Sequence, residues 1–351
     1  MAYVGKAWGK LLLFGEHAAV YGYPAVGLAL PETMEVEITP LIGTDTSHTT
    51  GTITGSAVAT NKPGDTPGVT FLRPDAPPFN SMFRALEMLF PPVSATGILD
   101  RLRGGVRIIS SIPQSLGYGS SAALCSAFSR AALHILAEVG IVATEQDVWR
   151  IANAMERVFH GTPSGIDTGL ATLGGIQAFY FGSSELPSAT PLPSFRFAMV
   201  TGAVPREAST KELITKLRDR MDDGDRSVRD RLESLGRTAE EGIAVIKNPE
   251  ADHTGEIGAL ASEAQEGLRS LGLSTEALEV AIQSGMAAGA TGGKLSGAGG
   301  GGAYYLMFRE TAAAREAYAA VRSGLSKFPG SQEWPLRVFE ADGGSLRRVA
   351  A

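Results

Sequence analysis

Apolar and polar positions alternate at Met34, Val36 and Ile38 with Glu35 and Glu37 between them, which predicts a strand with one wet face. A second strand is predicted from Gly104 to Ile112, and it runs directly into a turn of serines and glycines. The period then changes to that of a helix over Ala122 to Val139. Thr144 with Asp147 forms a capping-box signature that opens a second helix. This helix is expected to carry Ile151, Ala154, Met155 and Val158 inward and to end near His160 and Gly161. Leu170 to Phe181 reads as a hairpin, and Phe195 to Val200 and Ala303 to Phe308 read as strands. Ser209 to about Lys247 is charged and helical. Shorter helices are predicted over about Thr254 to Leu271 and Thr275 to Ala288. Thr44 to Pro78, rich in Thr, Gly, Pro and Asp, reads as an extended loop or irregular hairpin.

Strand and helix signals intermix in both halves, which predicts α+β layers more than a doubly wound sheet. Gly182 to Ser194 holds three prolines and several serines, and marks the expected boundary between a first domain (1–190) and a second (191–351). The last twenty or so residues are expected to pack back on the first domain. A length of 351 residues is in keeping with two domains.

Composition adds one anomaly and several exclusions. Glycine supplies 43 of 351 residues, above the roughly 7% of ordinary chains, so its placement needs a local cause. Nine of the eighteen positions from Gly285 to Gly302 are glycine, and a smaller group lies at Gly117 and Gly119. Both groups lead into patterned segments, which a flexible linker would not do. A net charge of −6 speaks against nucleic acid as a partner. The single cysteine, Cys125, excludes an internal disulfide and a Cys-based zinc site, and reads as core filler. The apolar run Leu11 to Phe14 is stopped by Glu16 and His17, and the uncharged stretch around Pro113 is too polar to span a membrane. A cytoplasmic protein without a membrane partner is expected.

Glycine before a helix lets backbone N–H groups converge on an anion at the positive end of the helix dipole. Pro113-Gln-Ser-Leu-Gly-Tyr-Gly-Ser-Ser-Ala122 has that form, with Ser120 or Ser121 available to cap the helix. No lysine follows, so it is not the common Gly-x-x-x-x-Gly-Lys-Ser/Thr loop, and an ordinary capped turn is the plain alternative. Taken alone, Lys10 reads as a solvated charge, Glu156 as the wet face of its helix, and Asp167 as an Asx turn.

Three segments together carry more. Gly9-Lys-Leu-Leu-Leu-Phe-Gly-Glu-His17, Pro113 to Ala123, and Lys294-Leu-Ser-Gly-Ala-Gly-Gly-Gly-Gly302 resemble, in order, the three motifs of the GHMP family of small-molecule kinases. The continuation Gly15 to Ala25, the segment His160-Gly-Thr-Pro-Ser-Gly-Ile-Asp167 and the stretch Val204-Pro-Arg206 resemble the branch of that family that acts on mevalonate. Four positions depart from the usual pattern: Trp8, Tyr118, Ser296 and Ala303. None removes a charged group or a phosphate-loop glycine.

The resemblance implies a two-domain α+β fold, the first domain like domain 2 of ribosomal protein S5 and the second a ferredoxin-like α/β layer. It implies ATP-dependent phosphorylation of the primary hydroxyl of mevalonate. A kinase of phosphomevalonate or of a sugar, and a non-catalytic ligand sensor, are the alternatives. The backbone of Ser115, Leu116, Gly117, Tyr118, Gly119, Ser120, Ser121 and Ala122 would wrap the ATP phosphates, with Ser110 near the nucleotide. Ser121 and Glu156 would hold Mg²⁺, in keeping with that ion's preference for few carboxylates. Asp167 would take the proton of the attacking hydroxyl and Lys10 would stabilise the developing charge. Glu16, His17, Gly165 and Arg206 would face the substrate. The glycine run Lys294 to Gly302 would support the phosphate loop. The resemblance also suggests a homodimer, and adenine recognition is expected to vary within Thr44 to Pro78.

Overall fold

The structure is a computed structural model that describes residues 2–40, 68–72, 79–89, 105–138 and 140–351. It divides into two compact units that interleave along the chain. The first comprises Met1–Gly9, Glu32–Ile112 and Gly119–Leu173, and the second Lys10–Pro31, Pro113–Tyr118 and Gly174–Ala351. Strands β1 (Tyr3–Phe14) and β2 (Ala25–Thr39) each run through both units, so the units are not separated by one cut near residue 190. A long strand is a single rod that contributes to the core at each of its ends.

In the first unit the end of β2 pairs antiparallel with β4 (Gly105–Ser110), and β4 pairs with β3 (Gly68–Leu72). Met34, Val36 and Ile38 face the core as the alternation requires, opposite Ser110, Ile108 and Val106. Four helices complete the unit's described part: α1 (Phe79–Leu89), α2 (Ser120–Ala137), α3 (Glu145–His160) and α4 (Ile166–Leu173). Phe83 and Phe128 meet edge to face with ring centroids 5.2 Å apart, joining α1 to α2. The capping box at Thr144 and Asp147 forms as the sequence predicts, and hydrogen bonds from the Thr144 amide and hydroxyl hold the Asp147 carboxyl below the usual range.

Two features of this unit correct the pattern. Val158 is exposed and Ala154 only half-buried, whereas Ala152, Asn153 and Glu156 are buried, so α3 is rotated from its purely apolar face by the polar partners described below. The expected hairpin Leu170 to Phe181 is instead the end of α4 followed by strand β5 (Ile176–Tyr180). Gly174 and Gly175, both at positive φ, stop the helix between them. Of the segment Thr44 to Pro78, only β3 lies within the described residues.

In the second unit the start of β2 pairs with β5, and β5 with β6 (Ser188–Leu192), which occupies the proline-rich stretch taken for a boundary. A five-stranded antiparallel sheet follows, in the order β11 (Leu346–Val349), β10 (Leu336–Asp342), β7 (Arg196–Val204), β9 (Gly302–Phe308), β8 (Gly292–Leu295). The final strands thus close an edge of this sheet. Val338 and Phe339 of β10 are buried opposite Val200 and Met199 of β7.

Helices α5 (Thr210–Asp222) and α6 (Arg226–Lys247) divide the predicted helical stretch from Ser209 to Lys247, α7 (His253–Ser270) and α8 (Glu276–Ala287) match the two shorter predicted helices, and α9 (Thr311–Leu325) lies outside the predicted segments. Their buried Leu232, Leu235, Leu268, Leu278 and Val321 pack with Val200, Leu306 and Phe308 of the sheet in one core. No helix of the described residues is long and apolar enough to cross a membrane.

Candidate active site

In the first unit the site grows from the start of α2. Gly119, in the left-handed region at φ 74°, is the N-cap, and no side chain caps the helix. Neither Ser120 nor Ser121 therefore plays the capping role the sequence offered. Ser121 is instead turned to α3, where its hydroxyl donates to Glu156 Oε1 at 2.7 Å. That hydroxyl has one proton, so it accepts from His160, whose Nε2 lies 3.2 Å from Ser121 Oγ and 3.3 Å from Glu156 Oε1. Glu156 and His160 are one helical turn apart, and Ser121 and Cys125 likewise, so each pair shares a face.

Glu156 is 2% exposed, which is far from the wet-face reading. Burial and then the Glu156 charge push the Cys125 thiol up, so a neutral S–H sits beside this carboxylate. Ser110 is buried at the end of β4, and its hydroxyl accepts from the Ile112 amide at 3.2 Å.

Asp167 stands in the first turn of α4, half-buried, after Gly165 at φ 85°. The Gly165 carbonyl accepts from Trp149 Nε1 at 2.9 Å and from Thr168 Oγ1 at 3.2 Å, and Thr168 Oγ1 lies 3.3 Å from Asn153 Oδ1. Two buried side chains of α3 thereby fix the turn that presents Asp167. Gly165 serves this turn through its carbonyl and its left-handed backbone.

The second unit holds the remaining candidates. Lys10 lies in β1 at 4% exposure, and its amide donates to the Tyr118 carbonyl at 3.0 Å. The turn itself alternates through the left-handed region at Ser115 (φ 60°) and Gly117 (φ 90°), with Gly119 (φ 74°) next in the chain. Alternation of this kind is the backbone pattern that an anion nest requires. Ser115 is exposed and Leu116 half-buried. A Cβ on Gly117 would lie 3.2 Å from the Ala303 nitrogen and 3.3 Å from Arg206 Nη2, so the absent side chain lets two backbones and a guanidinium meet. Arg206 is exposed and donates to Thr210 Oγ1 at 3.2 Å. Tyr118, the unusual residue between the glycines, is buried, with its hydroxyl 3.0 Å from Thr201 Oγ1. It fills core.

Four contacts clamp the glycine-rich segment onto the Lys10–His17 segment. Leu12 N donates to Ser296 Oγ at 2.8 Å, and Tyr305 OH to the Leu13 carbonyl at 2.9 Å. Lys294 pairs with Glu16 in full burial. His17 Nε2 lies 2.9 Å from the Ala298 carbonyl, which can only accept, so Nε2 carries the proton. Burial holds the His17 pKa below its ordinary value, against the opposing influence of that hydrogen bond and of the Glu16 charge.

Sequence reasoning missed the parts played by His160, Cys125 and Lys294. The first two were signalled by their four-residue spacing from Glu156 and Ser121. Lys294 was signalled by being the only charged residue from Gly285 to Phe308. Lys10 belongs to the second unit and Asp167 to the first.

Comparison with known proteins decides the family. Residues 80–175 match the profile described as GHMP kinases N terminal domain, and residues 246–327 that of GHMP kinases C terminal. A mevalonate kinase of Thermococcus sibiricus is 30% identical over 320 residues, covering 88% of this chain and 90% of its own. The chain belongs to the GHMP kinase family.

This GHMP kinase is also 30% identical over 312 residues to a mevalonate kinase of Pyrococcus horikoshii, with 87% and 88% of the two chains covered. In fold it matches Leishmania major mevalonate kinase in complex with R-mevalonate, with a TM-score of 0.67 at 22% identity over 99% of this chain and 94% of that one. Streptococcus pneumoniae phosphomevalonate kinase in complex with phosphomevalonate and AMPPNP gives 0.68 at 13% identity, over 99% of both chains. The fold is thus common to kinases of different alcohols. The two-domain α+β expectation holds.

Proposed function

We infer that this GHMP kinase transfers the γ-phosphoryl group of ATP to the primary hydroxyl of mevalonate, giving 5-phosphomevalonate and ADP. The observation that carries this is roughly 30% identity to mevalonate kinases along nearly the whole chain, with Lys10, Glu156 and Asp167 and both glycine motifs intact. Fold likeness alone would leave phosphomevalonate or a sugar equally open.

The residues divide the work of phosphoryl transfer, which is mostly positioning and charge neutralisation. The turn Ser115 to Ala122 offers amides and the N-terminus of α2 to the phosphates. Ser121 and Glu156 suit Mg²⁺: both donors are hard oxygens, and the 2.7 Å contact brings them to one point. When bound, that ion would neutralise phosphate charge. Asp167 accepts the proton as the hydroxyl oxygen attacks phosphorus, and Lys10 offsets negative charge on the transferring group. His17 and Arg206 face the substrate's polar groups, and Ser110 the nucleotide. Support for Asp167 in this role comes from its rigid presentation by Gly165, Trp149 and Asn153.

The test is an ADP-release assay with Mg²⁺ over mevalonate, phosphomevalonate and galactose. Turnover is expected with mevalonate, and Asp167→Ala should lose it by about 100-fold or more while still binding nucleotide. Release only with phosphomevalonate or galactose would overturn the substrate assignment. Nucleotide binding without turnover on any alcohol would favour the sensor.

A further inference from the structure

The chemistry above leaves aside the most deeply buried ion pair among the described residues. Lys294 Nζ donates to Glu16 Oε1 and, at 2.7 Å, to the carbonyl of Leu295, and it lies 5.6 Å from the centroid of the Tyr305 ring. Both side chains are shut from solvent, at 0% and 1% exposure. Burial pushes the Lys294 ammonium below the usual lysine range, and the Glu16 charge works against that. A buried pair of this kind is weak support for stability, since an apolar pair of the same volume often serves as well. Its presence asks for a further reason.

The reason lies in the backbone next to Glu16. Gly15 and His17 flank it in the left-handed region, at φ 95° and 60°. The turn is tight, with Ala18 N donating to the Glu16 carbonyl at 2.6 Å and Ala19 N to the Gly15 carbonyl at 3.1 Å. Left-handed backbone at a non-glycine residue costs energy and persists only where its surroundings over-determine it. One short segment supplies both restraints: Lys294 holds Glu16, and the Ala298 carbonyl holds the His17 imidazole at 2.9 Å. Glu16 Oε2 is buried with no hydrogen-bond partner, so Oε1 and Lys294 alone set the carboxylate's orientation.

We propose that Lys294 is a positioning residue, which through Glu16 locks the left-handed turn at His17 and so aims the imidazole at the alcohol substrate. It touches neither substrate nor nucleotide. The proposal rests on the reading of this chain as a mevalonate kinase in which His17 faces the substrate.

The full-length enzyme is compared with Glu16→Gln, Lys294→Met and the double variant Glu16→Gln/Lys294→Met. Glu16→Gln keeps an acceptor for the ammonium, so its KM for mevalonate should rise less than that of the double variant. The double variant removes both charges at similar volume and is expected to fold with a melting temperature near wild type. Its KM for mevalonate should rise about tenfold, the loss of one directed hydrogen bond, with the KM for ATP unchanged. The imidazole ¹⁵N resonance of His17, assigned by its loss in His17→Asn, should shift further in the double variant than in Glu16→Gln.

Lys294→Met alone leaves the Glu16 charge uncompensated and should melt lower than the double variant. A folded double variant with an unshifted His17 resonance and an unchanged KM for mevalonate overturns the proposal. Should the double variant not fold, Lys294→Gln carries the same readouts with the same expected direction. A wild-type enzyme inactive on mevalonate refutes the functional reading instead, and the His17 resonance then decides the positioning by itself.

Discussion

The hydroxyl of Ser121 donates to Glu156 Oε1 at 2.7 Å, although 35 residues separate them in the chain. One stands in the first turn of the helix that follows the glycine turn, and the other is buried on the neighbouring helix. Glu156 Oε1 receives the Ser121 hydroxyl and lies 3.3 Å from the Nε2 of His160. The arrangement sets two hard oxygens side by side at the N-terminal turn of the helix that Gly119 caps.

Glu156→Gln tests what the charge is for. The amide oxygen still accepts from Ser121, so the melting temperature should stay near that of the wild type. The concentration of Mg²⁺ needed for half-maximal rate should rise about 10–100-fold. Titrating Mn²⁺ into the protein by electron paramagnetic resonance measures the same loss without turnover. Equal Mn²⁺ affinity in the two proteins would remove Glu156 from the cation site.

His17 makes stability depend on acidity. Its folded pKa lies below the ordinary value of about 6.5 because it is buried, so between these two values the unfolded chain binds the extra proton and the folded one does not. Stability from this source is whole above about pH 6.5 and declines as pH falls through that value, until the lowered folded pKa is reached. Glu16 and Lys294 are the charged groups acting on it, with opposite signs. Urea midpoints measured between pH 7.5 and 5.5 should fall more steeply for the wild type than for His17→Asn. Parallel curves would show that His17 takes no part.

Gly301 lies at φ 102°, and a Cβ there would fall 2.1 Å from the carbonyl oxygen of Pro205. Gly301→Ala therefore meets both backbone strain and a backbone clash that no side-chain movement relieves. A loss of about 2 kcal/mol or more is expected, read from chemical denaturation. Gly289→Ala, also at positive φ but with open space around it, should cost less. Equal losses would mean that the close approach at Gly301 carries no weight.

Local regularities carried much of the fold. The alternation at Met34, Val36 and Ile38, the capping box at Thr144 and the helical period from Ser209 onward depend on neighbours in sequence, and each appears where its pattern puts it. The pattern failed where a buried polar group or a pair of glycines took over. Helix α3 turns its polar Asn153 and Glu156 inward, because hydrogen-bonding partners on α2 and α4 outweigh the exposure of Val158. The end of α4, from Leu170 to Leu173, is too short for its pattern to separate a helix from a strand.

By itself the sequence determined the family and the residue types of the site, because three glycine motifs in order demand backbone that only glycine allows close to phosphate. It also determined that Lys10, Glu156 and Asp167 were present to be used. Only the tertiary structure decided their states. Burial of Lys10 and Glu156, the hydrogen bond from Ser121, and the pairing of Lys294 with Glu16 across 278 residues depend on which segments meet in space. Charge in a protein is governed by the dielectric and the partners around it, and neither can be read from a residue's neighbours along the chain.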